Sequence, residues 1–525
     1  MRTLESYVQG RWHAGTGASA TLINPTTEEP LAQASTGGVD FCGVLEHARR
    51  TGGPALRALS FGQRAELLDK LSKAIHAHRD ELIELSIQNA GTTRGDAKFD
   101  IDGAIGTLAA YARMGAELGA RTFLYDGAGV QLGRTARFWG EHVLVPRLGA
   151  AIHVNAFNFP AWNMMEKAAC ALLAGTPVIE KPGTATAMLA WRIAQIVVAS
   201  GAAPEGSYQF LAGSVGDLLD HATAQDGLAF TGSSATAAKL RAHPNLVRHN
   251  VRINLEADSL NAAVLAPDVE AGSDTYNLFV ANVALDMTQK TGQKCTAVRR
   301  VLVPAGRVDE LAGEIAAALA AIKVGDPADP ATRMGPLASP DQLRDVRAGI
   351  ERLAKVARAV CGGAGKLRDQ GCFVAPTLFV ASDARTSAVH ADEVFGPVAT
   401  VLPYSGSASE AAELVGLGGG SLVTSVYSND STFLESAALG IGPWSGRVWL
   451  GSDKMAEQSL APGMVLPQMI HGGPGRAGGG EELGGLRGLA FYLQRVALQG
   501  FKGVIAPDSF AAPADTQARQ GATAP

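Results

Sequence analysis

Cysteine is scarce in this chain: Cys42, Cys170, Cys295, Cys361 and Cys372 make five in 525 residues, an odd number with no CxxC pair among them. Neither a disulfide framework nor a zinc knuckle is therefore expected, no metal is assigned, and the thiols belong in a reducing compartment. An excess of positive charge is also missing. The 45 Lys and Arg against 50 Asp and Glu give a formal net charge of -5, and no basic run stands out, so the electrostatic footprint of a nucleic-acid partner is absent. No uninterrupted apolar stretch approaches the roughly 18 residues of a membrane span. The opening segment MRTLESYVQGRWHAG lacks the apolar core of a signal peptide. A cytoplasmic protein without a membrane partner is the expectation.

What is present is a well-buried globular composition, 46% hydrophobic and 18% charged, on a chain long enough for two or three domains sharing interfaces. The first 120 or so residues pass through an NPTTEEP turn and become helical, with apolar positions at helical spacing through AELLDKLSKAIHAHRDELIELSIQNAG. From Arg147 the rhythm changes to short β-rich runs, LGAAIHVNAF, TPVIEKP, YQFLAG, GLAFTG and VRINLEA, separated by helix-length segments. Such a βαβ series builds a parallel sheet. A second α/β lobe is expected from about Asn261, with helices at DTYNLFVANVALDM and DELAGEIAAALAAI and strands at VRRVLVP, TLFVA and ATVLPY. The glycine content of HGGPGRAGGGEELGGLRG, from His471 to Gly488, points to a loop or mobile flap. The last fifteen or so residues are expected to be a frayed tail.

Several residues could carry chemistry. Cys295, in TGQKCTAVRR, sits in a turn between a helix-like run and a β-branched strand, where neighbouring amides can turn a thiol into a nucleophile. A lone cysteine is equally a small buried hydrophobe, the reading kept for the other four. Glu256 ends the apolar strand VRINLE, where desolvation can tune a carboxylate into a general base. A solvated strand-edge carboxylate is the alternative. Asn158, in HVNAFNFPAW, follows a strand and could aim its amide at a developing oxyanion, or be an ordinary turn residue. Lys181 follows a buried strand in VIEKPGTATA and could meet a phosphate or ribose, or lie on the surface. FLAGSVGDLLDH and AFTGSSATA both read as strand, glycine turn and helix, which places Gly213, Gly216, Gly232 and Ser233 where backbone amides take phosphate. His153, His243 and His471 have no partner at metal-ligand spacing and read as structural or incidental.

In order and approximate spacing these segments resemble the aldehyde dehydrogenase superfamily along nearly the whole chain. FNFPAW is similar to its oxyanion-asparagine motif, VIEKP to its cofactor lysine, AFTGSS to its pyrophosphate turn, INLEA to its general-base strand, GQKCTA to its nucleophile loop and EVFGPV to its nicotinamide-ribose motif. The resemblance implies that Cys295 attacks an aldehyde, with the Asn158 amide and the Cys295 backbone N–H stabilising the oxyanion. It implies that Glu256 activates the water that hydrolyses the thioester, and that Phe157, Glu393 and Phe395 hold the nicotinamide half of NAD(P). It also implies an α/β fold with a Rossmann-type cofactor domain (1–124 and 148–257), an α/β catalytic domain (258–480), a small β oligomerisation extension (125–147 and 486–506) and a flexible tail (507–525). A homodimer joined through that extension is expected.

This sequence departs from the family in informative places. Ala257-Asp258-Ser259 replaces the usual Gly-Gly-Lys after the base. Thr184 stands three residues after Lys181, where NAD-preferring members carry a Glu that would repel a 2′-phosphate, so NADP is expected over NAD. Members that pass the acyl group to coenzyme A commonly lack the Glu256 carboxylate, so its retention points to a free acid. The stretch from His471 through QRVALQGFKG resembles the dehydrogenase portion of ring-cleavage enzymes in bacterial phenylacetate and benzoate degradation, closest to a stand-alone type. That implies a small-molecule aldehyde linked to coenzyme A, with Arg476 and Glu482 as substrate residues. A general aldehyde dehydrogenase, a coenzyme A-acylating dehydrogenase and a catalytically silent relative are the competing readings.

Overall fold

A computed structural model describes residues 1–507. The tail expected beyond them lies outside the described residues. Two open sheets of seven strands each carry the architecture. In the first, the strands run in the order Arg252–Glu256, Gly227–Thr231, Ala151–Val154, Val178–Lys181 and Tyr208–Phe210, all parallel. Ser6–Val8 then joins antiparallel, followed by Arg11–His13. Val178–Lys181 and Gly227–Thr231 are buried almost end to end because helices cover both faces, and the one carboxylate among them, Glu180, is paired with His153 and Asn155. The helix Trp162–Ala174 is buried at every residue, wedged between this sheet and the N-terminal helices Phe61–Ala77 and Arg94–Leu118. Ser60 opens the first of these with a capping box: its hydroxyl accepts from the Gln63 N–H while the Gln63 side chain accepts from the Ser60 N–H.

The second sheet runs Arg358–Cys361, Thr377–Val380, Val398–Tyr404, Arg300–Pro304, Ala262–Leu265, Ser421–Tyr427 and Ser445–Gly451, parallel except at its first edge. A smaller antiparallel sheet pairs Phe138–Pro146 with Leu493–Phe501 over nine residues and with Leu124–Tyr125 on its other side. The outer edge of Leu493–Phe501 has no partner strand among the described residues, and Val496 and Phe501 on it are exposed. Among the described residues no helix is long and apolar enough to cross a membrane.

Two expectations need correction. The glycine-rich stretch is a packed hairpin: Ile470–Gly472 pairs antiparallel with Glu481–Leu483, with His471 opposite Glu482. Its turn is laced to the strand Arg252–Glu256, where Gly480 N–H donates to the Leu255 carbonyl at 3.0 Å and Ala257 N–H donates to the Ala477 carbonyl at 2.9 Å. A Cβ on Gly478 would lie 2.2 Å from the Leu255 oxygen, so the glycines here permit backbone contact rather than motion. In FLAGSVGDLLDH the strand Tyr208–Phe210 is followed by a single 3-10 turn, Leu218–His221, instead of a helix. Gly216, at φ +50°, exists to clear the Phe41 ring, which a Cβ would meet at 2.1 Å.

Candidate active site

The carboxyl ends of the first sheet face the loop that precedes Arg300–Pro304, and between them lies a cleft of about 780 Å³. Ten of the residues singled out in the sequence line it: Phe157, Asn158, Lys181, Thr184, Gly232, Ser233, Glu256, Cys295, Glu393 and Phe395. Gly213 lines an adjoining hollow that shares Lys181 and Thr184, and Gly216 lines neither.

One end of the cleft is built for an anionic, aromatic-stacked ligand. Lys181 closes its strand with its ammonium desolvated and without a hydrogen-bond or ion-pair partner among the described residues, and burial alone pulls its pKa down to about 8. Beside it the helix Ser234–Arg241 begins at Ser233, whose hydroxyl accepts the Thr236 N–H. The Ser234 N–H is already taken by Asp258 Oδ1 at 2.8 Å, which is what the departure at Asp258 does. Phe157 and Phe395 meet edge to face with centroids 5.9 Å apart. Glu393 is held by Arg299 at 3.2 Å and by the Ser259 N–H at 3.1 Å, yet burial outweighs both and raises its carboxyl to about 7.

The other end gathers a thiol, a carboxylate and an amide. Cys295 lies on a loop fixed by strain and by polar contacts. Lys290 and Thr291 take left-handed backbone at φ +52° and +58°, each worth about 1–3 kcal/mol of local strain. Arg299 ties the Gly292 and Gly396 carbonyls together, and Asn261 donates to the Cys295 carbonyl at 2.8 Å. Asn158 is buried and its side-chain amide has no partner among the described residues. Glu256 is 2% exposed and neither carboxylate oxygen makes a hydrogen bond among the described residues.

His471, read as incidental in the sequence, belongs to this cluster. Its Nε2 lies 3.3 Å from Glu256 Oε1 and 3.8 Å from Cys295 Sγ. Burial works against charge on Glu256, but the imidazolium outweighs it and holds the carboxyl well below its usual range. Burial likewise works against the imidazolium, and Glu256 overrides it, so His471 favours its charged form. Burial and the Glu256 charge together push the Cys295 thiol well up.

Glu482 and Arg476 are not in the cleft. Glu482 sits beneath it, ion-paired to Lys167 at 3.2 Å and accepting from the Asn254 amide at 3.3 Å, with Glu166 3.6 Å from the same ammonium. Burial raises Glu166 to about 7. Arg476 turns away because its short 3-10 turn packs on Gly419, and its guanidinium donates to the Ala391 carbonyl at 2.5 Å. Sequence reasoning missed Glu166, Lys167, Arg299 and His471. The available signal for His471 was its place at the head of a glycine run that lets two backbones touch.

Comparison with known proteins bears on the family and the fold. The aldehyde dehydrogenase family profile matches residues 12–497. A protein from Aromatoleum evansii described as 3,4-dehydroadipyl-CoA semialdehyde dehydrogenase is 44% identical over 478 residues, 90% of this chain and 93% of that one. Among solved structures, lactaldehyde dehydrogenase from Escherichia coli superimposes with a TM-score of 0.82 at 23% identity, covering 95% of this chain and 99% of that one. An aldehyde dehydrogenase from Bacillus cereus, solved as an NAD⁺ complex, gives 0.83 at 22% identity, covering 95% and 97%.

Proposed function

This chain belongs to the aldehyde dehydrogenase family, and from that premise we propose that it oxidises an aldehyde to a free carboxylic acid through a thioester on Cys295, with NADP⁺ as preferred cofactor. Membership makes it an oxidoreductase that takes a nicotinamide cofactor. The observation that carries the proposal is the convergence of Cys295, Glu256 and Asn158, from three distant segments, on one cleft.

Cys295 supplies the sulfur that bonds to the aldehyde carbon, and the Asn158 amide with the Cys295 N–H takes the charge that develops on oxygen. The bound nicotinamide supplies the acceptor for the hydride. Glu256, ionised and without a hydrogen bond among the described residues, is the base for the water that hydrolyses the thioester. An unpaired desolvated cation at Lys181, beside the helix that begins at Ser233, fits a phosphate-bearing cofactor, and Glu393 and Phe395 fit its ribose and ring; the Gly232 N–H, expected for phosphate, instead donates to the Glu256 carbonyl at 3.1 Å. NADP⁺ rather than NAD⁺ is favoured by Lys181 beside Thr184, with no carboxylate there to repel a 2′-phosphate.

For the substrate we propose a semialdehyde carrying a coenzyme A thioester, supported by the Aromatoleum evansii relative and by the resemblance of the glycine-rich stretch to the ring-cleavage subgroup. The first sheet with residues 1–124 and 148–257 is read as the cofactor domain, 258–480 as the catalytic domain, and the small sheet as the oligomerisation extension. Its unpaired edge, with exposed Val496 and Phe501, supports a homodimer, and the five free thiols support a cytoplasmic enzyme. The test is reduction of NADP⁺ and NAD⁺, in parallel, by the purified chain with a coenzyme A-linked semialdehyde and with its free-acid analogue. Faster turnover of the linked substrate with NADP⁺ is expected. Equal rates on both substrates would remove the coenzyme A assignment, and no turnover of any aldehyde would remove the function.

A further inference from the structure

Glu256 poses a physical problem that the proposed function leaves open. Its buried carboxylate has no hydrogen bond, and its nearest neighbours include two further buried acids: single oxygens of Glu166, Glu256 and Glu482 all lie within 4.8 Å of one another. Three clustered carboxylates out of water should share protons, because desolvation and mutual repulsion both oppose charge. A base that has already taken up a proton cannot activate water.

His471 is placed to prevent this. Its Nε2 is 3.3 Å from Glu256 Oε1, and the donor atoms of Glu256, Cys295 and His471 also lie within 4.8 Å of one another. The side chain is delivered by the glycine hairpin, whose two backbone hydrogen bonds fall on Leu255 and Ala257, the residues immediately flanking Glu256. Two glycines of the hairpin leave no room for a side chain: a Cβ at Gly480 would lie 2.5 Å from the Leu255 carbonyl and one at Gly472 would lie 2.1 Å from the Gly480 carbonyl. The hairpin therefore fixes the backbone of the carboxylate and the position of the imidazole in one piece.

We propose that His471 is a positioning residue of the reaction: its imidazolium, clamped to the strand that bears Glu256, keeps that carboxylate ionised and aimed at the Cys295 side of the cleft. This rests on the reading of Glu256 as the base and extends it to a residue to which the resemblance assigned no role. The groups facing the imidazole are Glu256 from the strand, Glu166 from the helix Trp162–Ala174, Glu482 across the hairpin, Arg447 from the strand Ser445–Gly451, and the Cys295 thiol. Lys167 offsets Glu482 and Glu166. The three acids favour the cation and Arg447 opposes it. With His471 replaced by a neutral amide, Glu256 would face two acids with only Lys167 to compensate, and its proton affinity would rise.

The experiment is the pH dependence of thioester hydrolysis in the full-length chain, comparing wild type with His471→Asn and His471→Gln. Since a carboxylate losing its cation becomes easier to protonate, the acid limb should move upward by about two pH units or more. Turnover at mildly acidic pH should then fall by about tenfold or more, recovering toward wild type on the alkaline side. The first-turnover burst should be less affected than the steady state, because it precedes water attack. A uniform loss across the pH range, or superimposable profiles, would overturn the proposal and leave a merely structural histidine. Should both variants fail to fold, nuclear magnetic resonance of wild type and Glu256→Gln labelled at histidine ring carbons decides the point. One histidine should remain charged above its ordinary range in wild type and lose that behaviour in E256Q, and no such difference would sink the proposal. The resonance readout needs no substrate, so it stays interpretable even if no aldehyde is turned over.

Discussion

Replacing Lys181 by Met should stabilise the cofactor-free protein while crippling its affinity for NADP⁺. The ammonium pays an unreturned desolvation penalty: burial lowers its pKa from 10.5 to about 8, with no partner in compensation. At about 1.4 kcal/mol per unit, a drop of about 2.5 units disfavours the charged folded form by about 3.5 kcal/mol, and residual solvent contact reduces this to about 2. Methionine keeps the packing of the aliphatic stem and removes the charge. The sign has a pH signature. A depressed lysine penalises the fold wherever it must be charged, below its folded pKa, and the penalty fades between pH of about 8 and 10.5 as the folded-state amine loses its proton. K181M should therefore melt a few degrees higher than wild type near neutral pH, with the gap closing in alkali. Adding NADP⁺ should reverse the order, since the lost cation–phosphate contact is worth about 2 kcal/mol or more, roughly thirtyfold in affinity. The assay is thermal unfolding across pH with and without each cofactor. A variant that is less stable when free, or that binds NADP⁺ as wild type does, would refute the reading of Lys181 as an uncompensated cation awaiting a phosphate.

Glu256→Gln should retain the first-turnover burst and lose steady-state hydrolysis by about a hundredfold to ten-thousandfold, visible as burst kinetics in which the second phase collapses. Lys167→Met removes the cation shared by Glu482 and Glu166 in a buried site, so denaturant unfolding should show a loss of about 3–5 kcal/mol. Val496→Lys places a charge on the exposed edge of Leu493–Phe501, and sedimentation should show the dimer shifted to monomer with catalytic chemistry retained; an unchanged mass would exclude that edge from the interface.

Much of the scaffold could be read before any coordinates because its signals are local. The short β-rich runs that became Val178–Lys181 and Gly227–Thr231 alternate with helix-length segments, as a parallel sheet requires, and the helical spacing through AELLDKLSKAIHAHRDELIELSIQNAG is the pattern of Phe61–Ala77 and Arg79–Ala90. Glu256 stood out as the single carboxylate ending an apolar strand. His471 did not, because its meaning comes from a contact with Cys295 across 176 residues of sequence. The hairpin around it was misread for a related reason: glycine marks either freedom or close approach, and only the neighbour, here the Leu255 carbonyl, distinguishes them. Arg476 misled in the opposite sense, as a cation whose local sequence fits a phosphate but whose turn packs it against Ala391. Asp258 replaces a family glycine yet fits, because the Ser234 N–H needed an acceptor.

The account stands most directly on a covalent bond between Cys295 and the acyl carbon of the substrate. Mass spectrometry of E256Q, mixed with NADP⁺ and a coenzyme A-linked semialdehyde and then digested, should find the acyl group on the peptide bearing Cys295, absent in C295A and released by hydroxylamine. An unmodified Cys295 in a protein that still reduces NADP⁺, or an adduct elsewhere in the chain, would contradict it.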